Sequence, residues 1–115
     1  MENTSLGTVK VEKKVLADIV VSAIENIEGV RLADKLFFDR ILEIFGFSYI
    51  PQINIHTEKD HQVTFEVKIC IQYGLPITET AQKVQNSIKS AVEKMVDINL
   101  KEIHVNIQGI ERGKK

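Results

Sequence analysis

Val63-Thr-Phe-Glu-Val-Lys-Ile-Cys-Ile-Gln-Tyr73 is the stretch that decides the fold. Val63, Phe65, Val67, Ile69, Ile71 and Tyr73 share one side of an extended chain, and Thr64, Glu66, Lys68, Cys70 and Gln72 share the other, because strand side chains alternate between faces. Such alternation describes a strand buried on one face and wet on the other. Gly74 and Pro76 end it, since proline cannot donate to a ladder. Downstream, Ile77, Ala81, Val84, Ile88, Ala91, Val92 and Met95 recur at spacings of three and four, the stripe of a long amphipathic helix. Thr78 is its expected cap, and Glu79 suits the positive end of the helix dipole. Ile103, Val105 and Ile107 then alternate with His104, Asn106 and Gln108 as a last strand.

Upstream of the central stretch, Ile53 and Ile55 alternate with Asn54 and His56, and Glu58-Lys-Asp-His61 is a polar hairpin connection. Leu36, Phe37, Phe38, Ile41, Leu42, Ile44, Phe45 and Phe47 crowd the preceding segment, which predicts a short extra apolar helix around 35–46. Further back, Leu16, Ile19, Val20, Ala23, Ile24 and Ile27 make one broad stripe, predicting a helix over 12–27 that stops before Gly29. Thr8 to Val11 alternate as a first strand, with Val9 and Val11 on one face. The order is βαββαβ. Each strand has a single apolar face, so the expected fold is α+β. It is a two-layer sandwich of the split βαβ kind, with both long helices on one face of a mostly antiparallel sheet. The other face stays polar and open, carrying Lys10, Asn54, His56, Thr64, Glu66, Lys68, Cys70, Gln72, His104 and Asn106. The 115 residues read as a single domain, 1–115, with flexible ends at about 1–6 and 111–115.

Composition narrows the function. Apolar types make up 43% and charged types 27%, an ordinary globular mixture that argues against disorder. Lys plus Arg number 15 and Asp plus Glu 16, a net charge of -1, so no global field draws the chain to nucleic acid. One cysteine, Cys70, cannot close an intramolecular disulfide, and Met1 to Lys14 has no apolar run of signal type. The expected location is cytoplasmic, with direct membrane insertion not expected.

Catalytic constellations are missing from the sequence. No G-x-S-x-G, Gly-rich phosphate loop or H-E-x-x-H occurs, so the chain reads as non-enzymatic and without cofactor. His56, His104 and Cys70 have zinc-binding side chains, yet no ligand spacing joins them, and a solvated strand surface is the expected reading. A βαββαβ sheet with an open face is also the architecture of an RNA-binding module that stacks bases on aromatic rings. Phe65 and Tyr73 lie on the buried parity here, so a nucleic-acid-binding module is the alternative and not the leading reading. The Leu36–Phe47 segment reads two ways, as a helix closing one end of the core or as an apolar surface for a partner. The candidate interface residues are Phe37, Phe38, Ile41, Phe45 and Phe47, joined by His56, Lys68 and His104 on the polar face. Open sheet edges lead to an expected homo-oligomer.

The residues also form an ordered set. It runs Gly7-Thr-Val-Lys-Val-Glu12, then Val15, Ile19 and Ala23, then Ile27-Glu-Gly-Val30. It continues with Val67-Lys-Ile-Cys-Ile-Gln-Tyr-Gly74, Ile77 through Val84-Gln85, Ala91-Val-Glu-Lys-Met95 and Ile103-His-Val-Asn-Ile-Gln-Gly-Ile110. This resembles the alkaline shock protein family, envelope stress response proteins of Gram-positive and related bacteria. It departs from that pattern at Asp97, where members carry glycine, and in its more apolar middle, Leu36–Phe47. The resemblance implies a small cytoplasmic scaffold or adaptor in envelope homeostasis, without agreed catalytic residues. It also implies recruitment to the membrane by a dedicated anchor partner.

Overall fold

A computed structural model describes residues 2–4, 6–33, 53–58 and 62–112. The elements are β1 (Glu2–Thr4), β2 (Gly7–Val9), α1 (Lys13–Glu25), β3 (Val30–Leu32), β4 (Ile53–Thr57), β5 (Gln62–Gln72), α2 (Ile77–Met95) and β6 (Asn99–Glu111). The fold is α+β, with helices and sheet in two layers. The expected helix around 35–46, with Phe37, Phe38, Ile41, Phe45 and Phe47, lies outside the described residues.

β5 is the central strand. Along one edge it pairs with β6 in parallel, from Gln62↔Asn99 to Gln72↔Glu111. Along its other edge it pairs antiparallel with β4, from Ile53↔Val67 to Thr57↔Val63, and with β3, from Val30↔Ile71 to Leu32↔Ile69. The β5–α2–β6 unit is a crossover between parallel strands, which needs a helix-length connection. Phe65, Val67, Ile69 and Ile71 are fully buried beneath α1 and α2, alongside Val20, Ile24, Val84, Ile88 and Val92. The alternation of the central stretch thus holds from Phe65 to Ile71, whereas Thr64 on the other face is also buried and Tyr73, past the end of β5, is exposed.

β3 and β4 are two halves of one line. Ala33 donates its N–H to the Lys68 carbonyl at 2.9 Å, and Ile53 stands opposite Val67, the very next position of β5. Leu32 and Ile53 face the helices while Arg31 and Asn54 face the open side, so the parity also runs through. β4 thus resumes at Ile53 the register position that follows Ala33, with no position of β5 skipped.

Neither helix has a side-chain cap; Pro76, not Thr78, occupies the N-cap of α2, and Glu12 caps α1 without a side-chain bond. Burial of one face holds them instead, as is usual for helices in proteins. Leu16, Ile19, Val20, Ala23 and Ile24 are buried on α1, and Thr80, Val84, Ile88 and Val92 on α2. The two ends of the predicted α2 stripe, Ile77 and Met95, are exposed.

The first strand departs from expectation. Gly7–Val9 pairs with Glu2–Thr4 in a separate two-stranded ribbon, and Leu6 to Lys10 are all exposed. One valine in three residues offers too little apolar area to hold a strand in the main sheet. Lys10 is therefore not on the open sheet face.

Gly29 turns the chain from α1 into β3 with φ +84°, a left-handed conformation that costs L-residues roughly 1–2 kcal/mol. A Cβ there would also strike Cδ1 of Leu75. Gly29→Ala is expected to lower stability by about 1–2 kcal/mol, measured as a shift in urea midpoint at constant m-value. Gly74, at φ +101°, meets nothing around its Cβ position, so its alanine variant carries the conformational cost alone.

Candidate interaction surfaces

The face of the sheet away from the helices carries three rows of polar residues set by register. Asn54, Glu66 and His104 form one row, His56, Thr64 and Glu102 a second, and Lys68 stands beside Asn106 in a third. Nearer the far end, Arg31 lies opposite Cys70, and Glu111 opposite Gln72. His56, Lys68 and His104, the described candidates, all occupy this face, but they do not converge. His56 and His104 are two strand spacings and two residues out of register, roughly 12 Å apart. Cys70 is four residues along β5 from the His104 row, about 13 Å away. Among the described residues no group of three His, Cys, Asp or Glu side chains could hold a metal ion.

The face satisfies itself. Asn54 donates to Glu66 at 3.3 Å, His104 Nε2 lies 3.0 Å from Glu102 Oε1, and Gln108 donates to Asn106 at 2.9 Å. Arg31 reaches across β5 to form a two-pronged pair with Glu111, its Nε donating to Oε1 at 2.7 Å. This ion pair ties β3 to β6 over the central strand, a bidentate geometry that arginine provides and lysine cannot. Thr64, expected to be solvated, is only 6% exposed, and its hydroxyl donates to Glu58 at 3.5 Å. The described part of this face presents no Phe, Tyr or Trp ring, and Phe65 is fully buried in the core. The nucleic-acid-binding alternative thus gains no support from the described face.

Lys101 donates to Glu58 at 2.7 Å, linking β6 to the end of β4. The Lys101 hydrogen bond, then its charge, holds Glu58 below the ordinary carboxylate value of 4.5. The same bond raises Lys101 above 10.5. A carboxylate depressed in the folded state stabilises above its unfolded value, and that contribution is lost as pH falls through the folded one. For Lys101 the sign reverses, with stabilisation present below 10.5 and lost as pH rises through its raised value. Glu58→Gln is expected to flatten the acid limb of a urea-midpoint profile, by a small amount that high salt removes, as for other exposed pairs.

Arg31, Glu58, Glu102 and Glu111 were not among the candidates read from sequence. β3 is three residues long and too short to show a period. β6 carries two register shifts, between Val63/Thr64 and Ile69/Cys70 of its partner, which leave Lys101 and Gln108 as extra residues. The signal was present: Leu100 to Ile103 and Ile107 to Ile110 step by three where a strand steps by two, the mark of a β-bulge.

Beside the sheet, an open groove of about 550 Å³ between α1 and α2 is lined by Ala23, Ser87, Ser90, Ala91 and Met95, among others. Its lining is mostly small or polar, and Lys94 is the one charged side chain among the described lining residues. No helix among the described residues is long and apolar enough to cross a membrane.

Three curated relatives share this chain at low identity and high coverage. An uncharacterized protein of Streptococcus pyogenes, Spy1535, is 24% identical over 111 residues, 96% of this chain and 84% of its own. The uncharacterized protein YqhY of Bacillus subtilis is 26% identical over 111 residues, covering 96% and 82%. A second uncharacterized protein of that organism, YloU, is 25% identical over 112 residues, covering 93% and 91%. No solved structure matches the chain. Residues 1–112 match the alkaline shock protein 23 family as a whole, and the chain belongs to that family, whose function is cell envelope-related.

Proposed function

We propose that this protein is a non-enzymatic scaffold or adaptor of the cell envelope, working in the cytoplasm through protein–protein contacts and self-association. A membrane-anchored partner would bring it to the membrane. The family's envelope-related function supports the setting. The observation that carries the mechanism is the continuity of β3 into β4, with Ala33 bonded to Lys68 and Ile53 opposite Val67. The strand needs none of residues 34–52 to keep its register. Those residues nevertheless include Phe37, Phe38, Phe45 and Phe47, four of the chain's five phenylalanines, with Ile41 among them. Apolar residues that a scaffold does not need for its own strand pairing are suited to a partner. Lys68, at the strand position beside the point of departure, together with His56 and His104 supplies a polar border.

Affinity capture from cells making the tagged chain, with membrane and soluble fractions kept apart, tests the reading. A membrane-anchored protein recovered with the chain, and lost with Phe37→Asp or Phe45→Asp while folding is retained, is the expected outcome. Recovery of ribosomes or RNA that disappears at high salt would replace it with the nucleic-acid-binding alternative.

A further inference from the structure

β6 is paired along one edge only. Its inner edge runs beside β5, and among the described residues no strand lies along its outer edge. The bulges at Lys101 and Gln108 bracket a regular window from Glu102 to Ile107. Within it Ile103, Val105 and Ile107 lie on the core side, beside Phe65, Val67 and Ile69. Those three β5 residues are fully buried, whereas their three neighbours on β6 are only half-buried. The apolar layer thus runs out to the edge of the sheet and stops there uncovered. It ends in one unbroken line of three β-branched side chains, about 13 Å long.

The backbone of the same window is turned toward that edge. Gln85 of α2 donates its side-chain amide to the Ile103 carbonyl at 3.0 Å, which places this carbonyl on the outer side, away from β5. Backbone groups alternate along a strand, so Val105 and Ile107 also turn their N–H and C=O outward, while His104 and Asn106 turn theirs to β5. Glu111 agrees with this parity. Beyond the bulge at Gln108, which reverses the alternation, its carbonyl accepts from Tyr73 on the β5 side.

We infer that β6 pairs with β6 of a second copy, antiparallel about a two-fold axis at Val105. This rests on the self-association proposed above and names its surface. The sequence of the window identifies the occupant, because Ile103-His-Val-Asn-Ile107 alternates apolar and polar residues identically in both directions. Laid against its own reverse, it sets Val105 opposite Val105, Ile103 opposite Ile107 and His104 opposite Asn106. The same register sets the three outward-turned residues of one copy opposite those of the other, the positions at which antiparallel strands exchange hydrogen bonds. Neighbouring registers lose this match. A one-residue slip puts apolar side chains against polar ones, and a two-residue slip leaves Ile107 facing Lys101 or Ile103 facing Gly109. Main-chain bonds supply the affinity of such strand addition. The contact is isologous and therefore closes as a dimer.

Disulfide trapping in the full chain, on a Cys70→Ser background, tests surface and register together. His104 and Asn106 are exposed, and across the dimer they form a non-hydrogen-bonded pair with Cα atoms about 4.5 Å apart, within disulfide reach. His104→Cys and Asn106→Cys are expected to cross-link when mixed and not singly. Val105→Pro removes an outward N–H and no bond to β5, a change that edge strands tolerate. It is expected to weaken dimerisation about tenfold or more in sedimentation at tens of micromolar, since symmetry removes two hydrogen bonds. Circular dichroism and thermal unfolding check each fold, and the cysteine pair decides alone should Val105→Pro not fold. Wild-type chain that stays monomeric would overturn the self-association itself. Wild-type association with no cross-link in the mixture, with either cysteine variant cross-linking alone, or with a folded Val105→Pro chain that dimerises undiminished would overturn only the pairing of β6.

Discussion

Phe65→Ala is expected to lower stability by about 3–5 kcal/mol, the usual cost of truncating a buried phenylalanine. Phe65 is the largest fully buried side chain among the described residues. It sits mid-strand on β5, between Ile55 of β4 and Ile103 of β6. Both neighbours are only partly buried and belong to strands that β5 itself anchors, so they cannot close the hole without moving the sheet. In a domain of this size the loss corresponds to roughly 10–20 °C in melting temperature. Calorimetry on the purified variant reads it directly. A change below about 1 kcal/mol would mean that α1 and α2 collapse into the space, and that the two layers are less tightly interlocked than the burial indicates.

The second large effect separates fold from function. Deleting residues 34–52 and joining Ala33 to Ile53 creates the strand Val30-Arg-Leu-Ala33-Ile53-Asn-Ile-His-Thr57, with every residue keeping its present partner on β5. Bringing together chain positions separated by this many residues costs ~2–3 kcal/mol of entropy, a cost the shortened chain does not bear. The shortened chain is expected to unfold cooperatively at an unchanged or higher midpoint while losing its capture of the envelope partner altogether. Insolubility or a broad, non-cooperative transition would instead place Phe37, Phe38, Ile41, Phe45 and Phe47 in the core, the other reading of that segment.

How much of this was legible in the sequence depends on how local each signal is. The alternation from Val63 to Tyr73 and the stripe from Leu16 to Ile24 report the inward faces of β5 and α1, because a strand or helix buries itself by its own period. The family resemblance was readable for the same reason, being carried by an ordered series of such local patterns. Pairing is not local. β1–β2 forms a ribbon apart from the main sheet since Val9 alone cannot pull its strand inward. β3 escaped notice because three residues show no period. Arg31 and Glu111 are separated by 80 positions, and only the register of two strands across a third brings them together. The open face was read with the right residues from β4, β5 and the middle of β6, yet Thr64 was placed in water although it is buried and its hydroxyl donates to Glu58. The two exposed apolar ends of α2 were hidden inside a pattern that looked wholly buried. Ile77 and Met95 continue the stripe of α2, and only the packing around the helix ends leaves them exposed.

The most direct test of the central claim is membrane sedimentation of the chain from lysed cells, comparing the full chain with the 34–52 deletion. The scaffold account predicts that part of the full chain sediments with membranes through its partner, and that the deleted chain, still folded, stays in the supernatant. Equal partition of both chains, with the deletion shown to be folded, would contradict it.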